Sequence, residues 1–128
     1  MTHSNSVKHV LLAVGLGALV AACGGPETPA GPTFSTDIQK DLTAQCASAG
    51  CHNKTATNKL KVDTAAGQEM ANYQLLFDQQ LVIKNDAANS PLIKVVMSGK
   101  GPSGVTHATL SATKLATWTS WVNAGAPF

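Results

Sequence analysis

Between residues 34 and 128 the apolar positions recur at helical steps in short runs, separated by polar stretches rich in glycine. Phe34, Ile38 and Leu42 share one face of a first helix predicted from about Asp37 to Cys46, with Ser35 or Thr36 available as N-cap. The segment from Ala47 to Asp63 is rich in Ser, Gly, Asn, Thr and Lys and reads as a loop anchored by Leu60 and Val62. Met70, Tyr73, Leu76 and Phe77 then fall on one face of a second helix, which Thr64 can cap. After a turn at Asp86-Ala87-Ala88-Asn89, Ser90 and Pro91 open a third helix that runs through Leu92, Ile93, Val95, Val96 and Met97 and stops at Ser98-Gly99. Lys100 to Thr109 is a loop, and Ser111 caps a last helix striped by Leu115, Trp118, Trp121 and Val122 and ended by Gly125 and Pro127. No internal repeat and no alternation long enough for a sheet is present, so the pattern predicts an all-α domain with long loops. Phe34, Ile38, Leu42, Leu115, Trp118 and Trp121 are its expected core, where the first and last helices meet.

The first residues follow a different pattern. Met1 to His9 is polar and weakly basic through Lys8, Val10 to Val20 is apolar, and the run closes on Val20-Ala21-Ala22-Cys23. A basic start, a short apolar stretch and small residues before a cleavage point make a secretory signal peptide, here residues 1–22. Val20-Ala21-Ala22-Cys23 resembles a bacterial lipobox, which implies acylation of Cys23 as the first residue of the mature chain. The alternative is an uncleaved membrane anchor, weakened by Gly15, Gly17 and the shortness of the run. Either reading places the rest of the chain outside the cytoplasm. Residues 23–33, dense in Pro and Gly, read as the lipidated start and a flexible linker, leaving 34–128 as a single small domain. Gly24, where an acidic residue would favour retention, leans towards an outer-membrane location, facing the periplasm or the cell surface.

Charge narrows the function classes. The whole chain has 9 Lys plus Arg against 7 Asp plus Glu, and every one of the cations is lysine. Without a clustered basic face or arginine forks, nucleic-acid binding is set aside. Lys54, Lys59 and Lys61 do gather after the cysteine pair, as a solvated loop that could also steer an acidic partner.

The candidate chemistry sits in Cys46-Ala47-Ser48-Ala49-Gly50-Cys51-His52. Two thiols can add across the two vinyl groups of a haem, and a histidine directly after the second thioether is held where its imidazole can bind the iron. Two residues between the cysteines is the usual spacing and four is a rarer variant. With Cys23 assigned to the lipid and His3 and His9 to the signal, the remaining thiols are Cys46 and Cys51 and the remaining histidines His52 and His107. A Cys46–Cys51 disulfide with His52 as bystander is the alternative in an oxidising compartment. A zinc site from Cys46, Cys51, His52 and His107 is disfavoured, because adjacent Cys51 and His52 do not easily face one tetrahedral centre. A domain this small also gains from a cofactor that completes its interior.

Along 34–127 the chain resembles the single-haem cytochrome c-like domains of bacterial surface lipoproteins. The matching stretches are Phe34-Ser35-Thr36-Asp37-Ile38-Gln39, the Cys…Cys-His motif, Ser90-Pro91-Leu92-Ile93 through Gly99, and Trp121-Val122-Asn123-Ala124-Gly125-Ala126. The resemblance implies a cytochrome c-like fold, one covalent haem c on Cys46 and Cys51, His52 as proximal iron ligand, and electron transfer to a redox partner protein rather than enzyme catalysis. Such domains commonly place Met-Pro before the final helix, the methionine being the second axial ligand. Here the loop from Gly101 to Leu110 holds His107 instead, which is the candidate distal ligand. Met97 is the other candidate, although its apolar helical run reads as core, and Met70 is a weaker one still. A His52 and His107 pair implies a lower reduction potential than methionine ligation. Two further readings remain open: a haem-free, disulfide-closed surface module for binding or assembly, and an open-site haem protein with ligand-binding or peroxidase-like activity.

Overall fold

The computed structural model describes residues 31–47, 51–56, 58 and 60–128; the expected signal peptide, Cys23 and most of the expected linker lie outside these residues. The first helix, α1, covers 34–46 as one continuous helical path in three stretches. Phe34–Ile38 and Leu42–Cys46 have the wide pairing of a π-helix, and Gln39–Asp41 between them has α pairing. The Thr43 hydroxyl donates to the carbonyls of Gln39 at 3.0 Å and Lys40 at 3.1 Å, competing with the backbone for the acceptors of a regular turn. The helix starts at Phe34 rather than near Asp37 because Thr33 caps it. Thr33 Oγ1 accepts from the Thr36 N–H at 3.4 Å, and Asp37 Oδ2 accepts from the Thr33 N–H at 3.0 Å, a reciprocal cap.

Helix α2 is Glu69–Asp78, α3 is Pro91–Ser98 and α4 is Ala112–Asn123, with a short 3₁₀ turn at Pro102–Gly104. Among the described residues there is no strand, and the isolated bridges Asn53 to Val62 and Lys100 to Thr106 only tie off loops. The all-α expectation therefore holds. Ser90 precedes Pro91 at the start of α3, and Gly99 ends it in the left-handed region at φ 67°. Ser111 caps α4 by accepting from the Lys114 N–H at 3.4 Å. Thr64 does not cap α2, which begins at Glu69 after a turn through Gly67.

Phe34, Ile38 and Leu42 of α1 and Trp118 and Trp121 of α4 are fully buried, and Leu115 is packed against the same core from a partly buried position. The C-terminal residues close this core. The Phe34 N–H donates to the Pro127 carbonyl at 2.9 Å, Trp121 Nε1 donates to the same carbonyl at 2.8 Å, and the Tyr73 hydroxyl donates to the Ala126 carbonyl at 2.8 Å. Tyr73 meets Phe34 edge-on at 5.3 Å between ring centres and Phe77 at 4.9 Å. Lys114 of α4 reaches back to buried Asp41 of α1 at 2.5 Å.

Two methionines depart from expectation. Met97 is 60% exposed and Met70 45% exposed, so neither is core. On α3 the buried positions are Leu92, Ile93 and Val96, one stripe at three- and four-residue steps, and Met97 falls past its edge. On α2 the buried stripe is Asn72 and Leu76, which rotates Met70 towards solvent.

Trp121 carries both a large buried volume and a hydrogen bond to the closing segment. Trp121→Ala is expected to lower unfolding free energy by about 3–5 kcal/mol, whereas Trp121→Phe, which keeps most of the volume, should cost about 1–3 kcal/mol; urea denaturation of the purified protein measures both.

Candidate functional site

Helix α1 ends at Cys46, and the loop that follows returns on itself: the His52 N–H donates to the Cys46 carbonyl at 3.0 Å. This bond sets the backbone of His52 beside that of Cys46. Cys46 is half-buried against the core, Cys51 is exposed, and both are free thiols. Burial pushes the Cys46 thiol up to about 11, with nearby Cys51 and Asp41 adding to the shift.

Downstream of His52 the loop is pinned to the core. The Val62 N–H donates to the His52 carbonyl at 2.6 Å, Leu60 and Val62 are buried, and buried Asn72 of α2 pairs its amide with the backbone of Asp63 in both directions, at 2.9 and 2.8 Å. The Asn72 amide thus takes the place of a neighbouring strand, satisfying backbone that no sheet would. The His52 ring is then oriented through Nδ1, which lies 2.9 Å from Asn58 Oδ1 and 3.0 Å from the Leu60 carbonyl. The Asn58 Nδ2 group donates to the Cys51 carbonyl at 2.9 Å, which turns its oxygen towards the ring. With acceptors on both sides, Nδ1 is the donor nitrogen of the ring.

His107 arrives from the opposite side of the sequence on the loop between α3 and α4. Left-handed Gly99 turns the chain, the His107 N–H donates to the Gly99 carbonyl at 2.8 Å, and the Leu110 N–H donates to the Val96 carbonyl at 3.2 Å. The imidazole folds back over the tip of this loop, with Nδ1 3.0 Å from the Val105 carbonyl. A carbonyl only accepts, so Nδ1 is again the donor nitrogen. Gly101 makes room for the ring, since a Cβ there would overlap it, coming within 2.6 Å of Nδ1.

The two imidazoles, distant in sequence, are brought together with ring centres 5.8 Å apart and planes 25° from parallel. Metal–imidazole bonds are about 2 Å long, which sets the ring centres of two ligands on opposite sides of one metal roughly 6 Å apart. Donation of Nδ1–H to a carbonyl is the arrangement that fixes the tautomer of a ligating histidine. Among the described residues no three His, Cys, Asp or Glu side chains converge as they would around a bare ion. Two imidazoles are, however, all that an iron already held in a porphyrin takes from the protein. Met97, the other axial candidate, is exposed on α3.

Two surface clefts, of about 340 Å³ beside Asn53 and Thr64 and about 390 Å³ between Lys40 and Lys114, include neither histidine and neither thiol. No family model, no curated protein and no solved structure matches the chain. Asn58, Asn72 and Gly101 are the site residues that sequence reading missed. Asn and Gly are ordinary in loops, and their roles come from contacts across 6 to 9 residues or with a ring folded over the loop.

The difference in burial between the thiols has a measurable consequence. In the chain purified without haem, iodoacetamide at pH 8 is expected to label Cys51 roughly tenfold or more faster than Cys46, since only the thiolate reacts and a thiol at about 11 supplies little of it. Peptide mass mapping of a time course reads the two rates, and equal rates would contradict the described burial of Cys46.

Proposed function

We propose that this protein is an electron carrier of the cell envelope, an all-helical cytochrome c-like domain bearing one covalent haem c and tethered through lipid on Cys23. In this reading Cys46 and Cys51 form the thioethers, His52 is the proximal iron ligand and His107 the distal one. The observation that carries it is the histidine pair: two imidazoles with ring centres 5.8 Å apart, each with Nδ1 engaged by a carbonyl, one of them directly following the second of two free thiols.

The residues divide the work. Haem, when bound, supplies the iron couple that takes up and returns one electron. His52 and His107 would present Nε2 to the group while Nδ1 stays engaged by a carbonyl, which holds the direction of each ring. A second histidine in place of methionine favours the oxidised iron and lowers the potential. Leu60 and Val62, buried in the core, anchor the backbone that carries His52 and would keep the ring in place on a bound haem.

The partner suggested by this surface is an acidic redox protein. Lys54 and Lys61 are exposed beside His52 and Lys100 is exposed at the base of the His107 loop. No acidic residue occurs from Cys51 to Val62 or from Lys94 to Ser111. An electron-transfer rate that falls with added salt is the signature of such steering.

Intact mass and the reduced visible spectrum, measured on protein made in a periplasm with haem-attachment machinery, test the reading. Each S–H adds whole across a vinyl double bond, so the mass should rise by one intact haem and the colour should survive denaturation. A colourless protein lighter by two hydrogens would establish a Cys46–Cys51 disulfide and overturn the proposal. In the haem-loaded protein, His107→Ala should admit carbon monoxide and cyanide that the parent excludes. Gly101→Ala, which displaces the ring, should do so in part. Binding of carbon monoxide by the parent itself would instead support the open-site reading.

A further inference from the structure

We infer that Asn58 is the positioning residue of the proximal imidazole, its side-chain amide tying His52 Nδ1 to the Cys51 carbonyl. The two contacts run through one planar group: Oδ1 lies 2.9 Å from His52 Nδ1, and Nδ2 donates to the Cys51 carbonyl at 2.9 Å. An amide is suited to this because it accepts at one end and donates at the other. A carboxylate would accept from the imidazole but repel the carbonyl, and a hydroxyl does not span both.

The position of Asn58 argues against a packing role. Its side chain lies on the exposed face of the loop, and the core beneath that loop is supplied by Leu60 and Val62. What the amide adds is orientation. Cys51 and His52 are adjacent, and the thiol of the first and the imidazole of the second must face the same group from one backbone segment. The Leu60 carbonyl at 3.0 Å fixes the direction of Nδ1 but makes no contact with Cys51. Asn58 joins ring and thiol-bearing backbone, so that neither rotates without the other.

Hydrogen bonding at Nδ1 also sets how strongly the opposite nitrogen donates to a metal. A stronger acceptor makes the imidazole more basic and stabilises the oxidised iron; a weaker one does the reverse. Asn58 is therefore placed to tune the potential as well as the ring angle, and this part of the inference rests on the haem reading.

The experiment uses the full chain, as purified, with Asn58→Ala, Asn58→Asp and Asn58→Gln. If the protein carries haem, spectroelectrochemistry is expected to show the midpoint potential rising in Asn58→Ala and falling in Asn58→Asp. Asn58→Gln should lie closer to the parent, and haem attachment by mass should be unchanged throughout. Shifts in one direction for both Ala and Asp, or no shift in either, would overturn the inference, since loosening alone carries no sign. If the protein is colourless, the haem reading fails but this inference does not, and nitrogen-15 NMR of His52 decides it. The parent should show the Nδ1–H tautomer alone and Asn58→Ala a smaller share of it, since only the Leu60 carbonyl then accepts that proton. A parent already mixed, or an Asn58→Ala spectrum identical to the parent's, would overturn it.

Discussion

The arrangement at the histidine pair depends on one packing event, the burial of the Phe34, Ile38 and Leu42 face of α1 against Trp118 and Trp121 of α4. A helix as short as α1, with π-type pairing at both ends, is marginal by itself in water. Its stability comes from the apolar face, where each large side chain contributes about 1.5–3 kcal/mol on burial. The last residues complete the enclosure: Pro127 accepts hydrogen bonds from both the first residue of α1 and the Trp121 ring. The two ends of the domain are therefore held together, and the far end of α1 delivers Cys46 to a defined place. Asp41 and Lys114 add a link between the same two helices, near the point where α1 gives way to the cysteine loop.

The site itself is made from two loops with little regular structure. Loop backbone next to a core has polar groups to satisfy, and each loop finds a different partner for them. The His52 loop uses the buried amide of Asn72 and its own return contact at Val62. The His107 loop uses the carbonyl of Gly99 at the end of α3 and that of Val96 one turn earlier. The rings lie with centres 5.8 Å apart, and that separation is decided by α2 and α3 rather than by anything local to either histidine.

The chemistry on offer is that of imidazole and thiol side chains held on a fixed frame. Both imidazoles have their protons directed at carbonyl oxygens, and both thiols are unbonded, one of them sheltered from solvent. For the proposed haem these are complementary tasks. The thiols would fix the ring in place covalently, while the histidines would approach the iron from the two loops. Lys54, Lys61 and Lys100, on the two loops that carry the histidines, are exposed, and for the proposed acidic partner they would supply attraction at long range.

Much of this was legible along the chain. The helical periods, the Ser90-Pro91 start and Gly99 stop of α3, the Ser111 cap of α4 and the aromatic core were readable because each depends on residues within a turn or two of one another. The motif Cys46…Cys51-His52 and the isolation of His107 as the remaining histidine were readable for the same reason, since they require only identity and spacing. The early start of α1 at Phe34 was not, because it is set by Thr33 together with a carbonyl contributed by Pro127 at the other end of the domain. The exposure of Met97 and Met70 was not, because an apolar side chain at the edge of a helical stripe is buried only if a neighbour covers it. The sequence by itself determined which helices form, which residues are available as ligands and which thiols accompany them. Only the tertiary structure decided that the rings of His52 and His107 lie together and which atoms orient them. Convergence of this kind comes from contacts between segments far apart in the chain, and no local pattern of residues records such contacts.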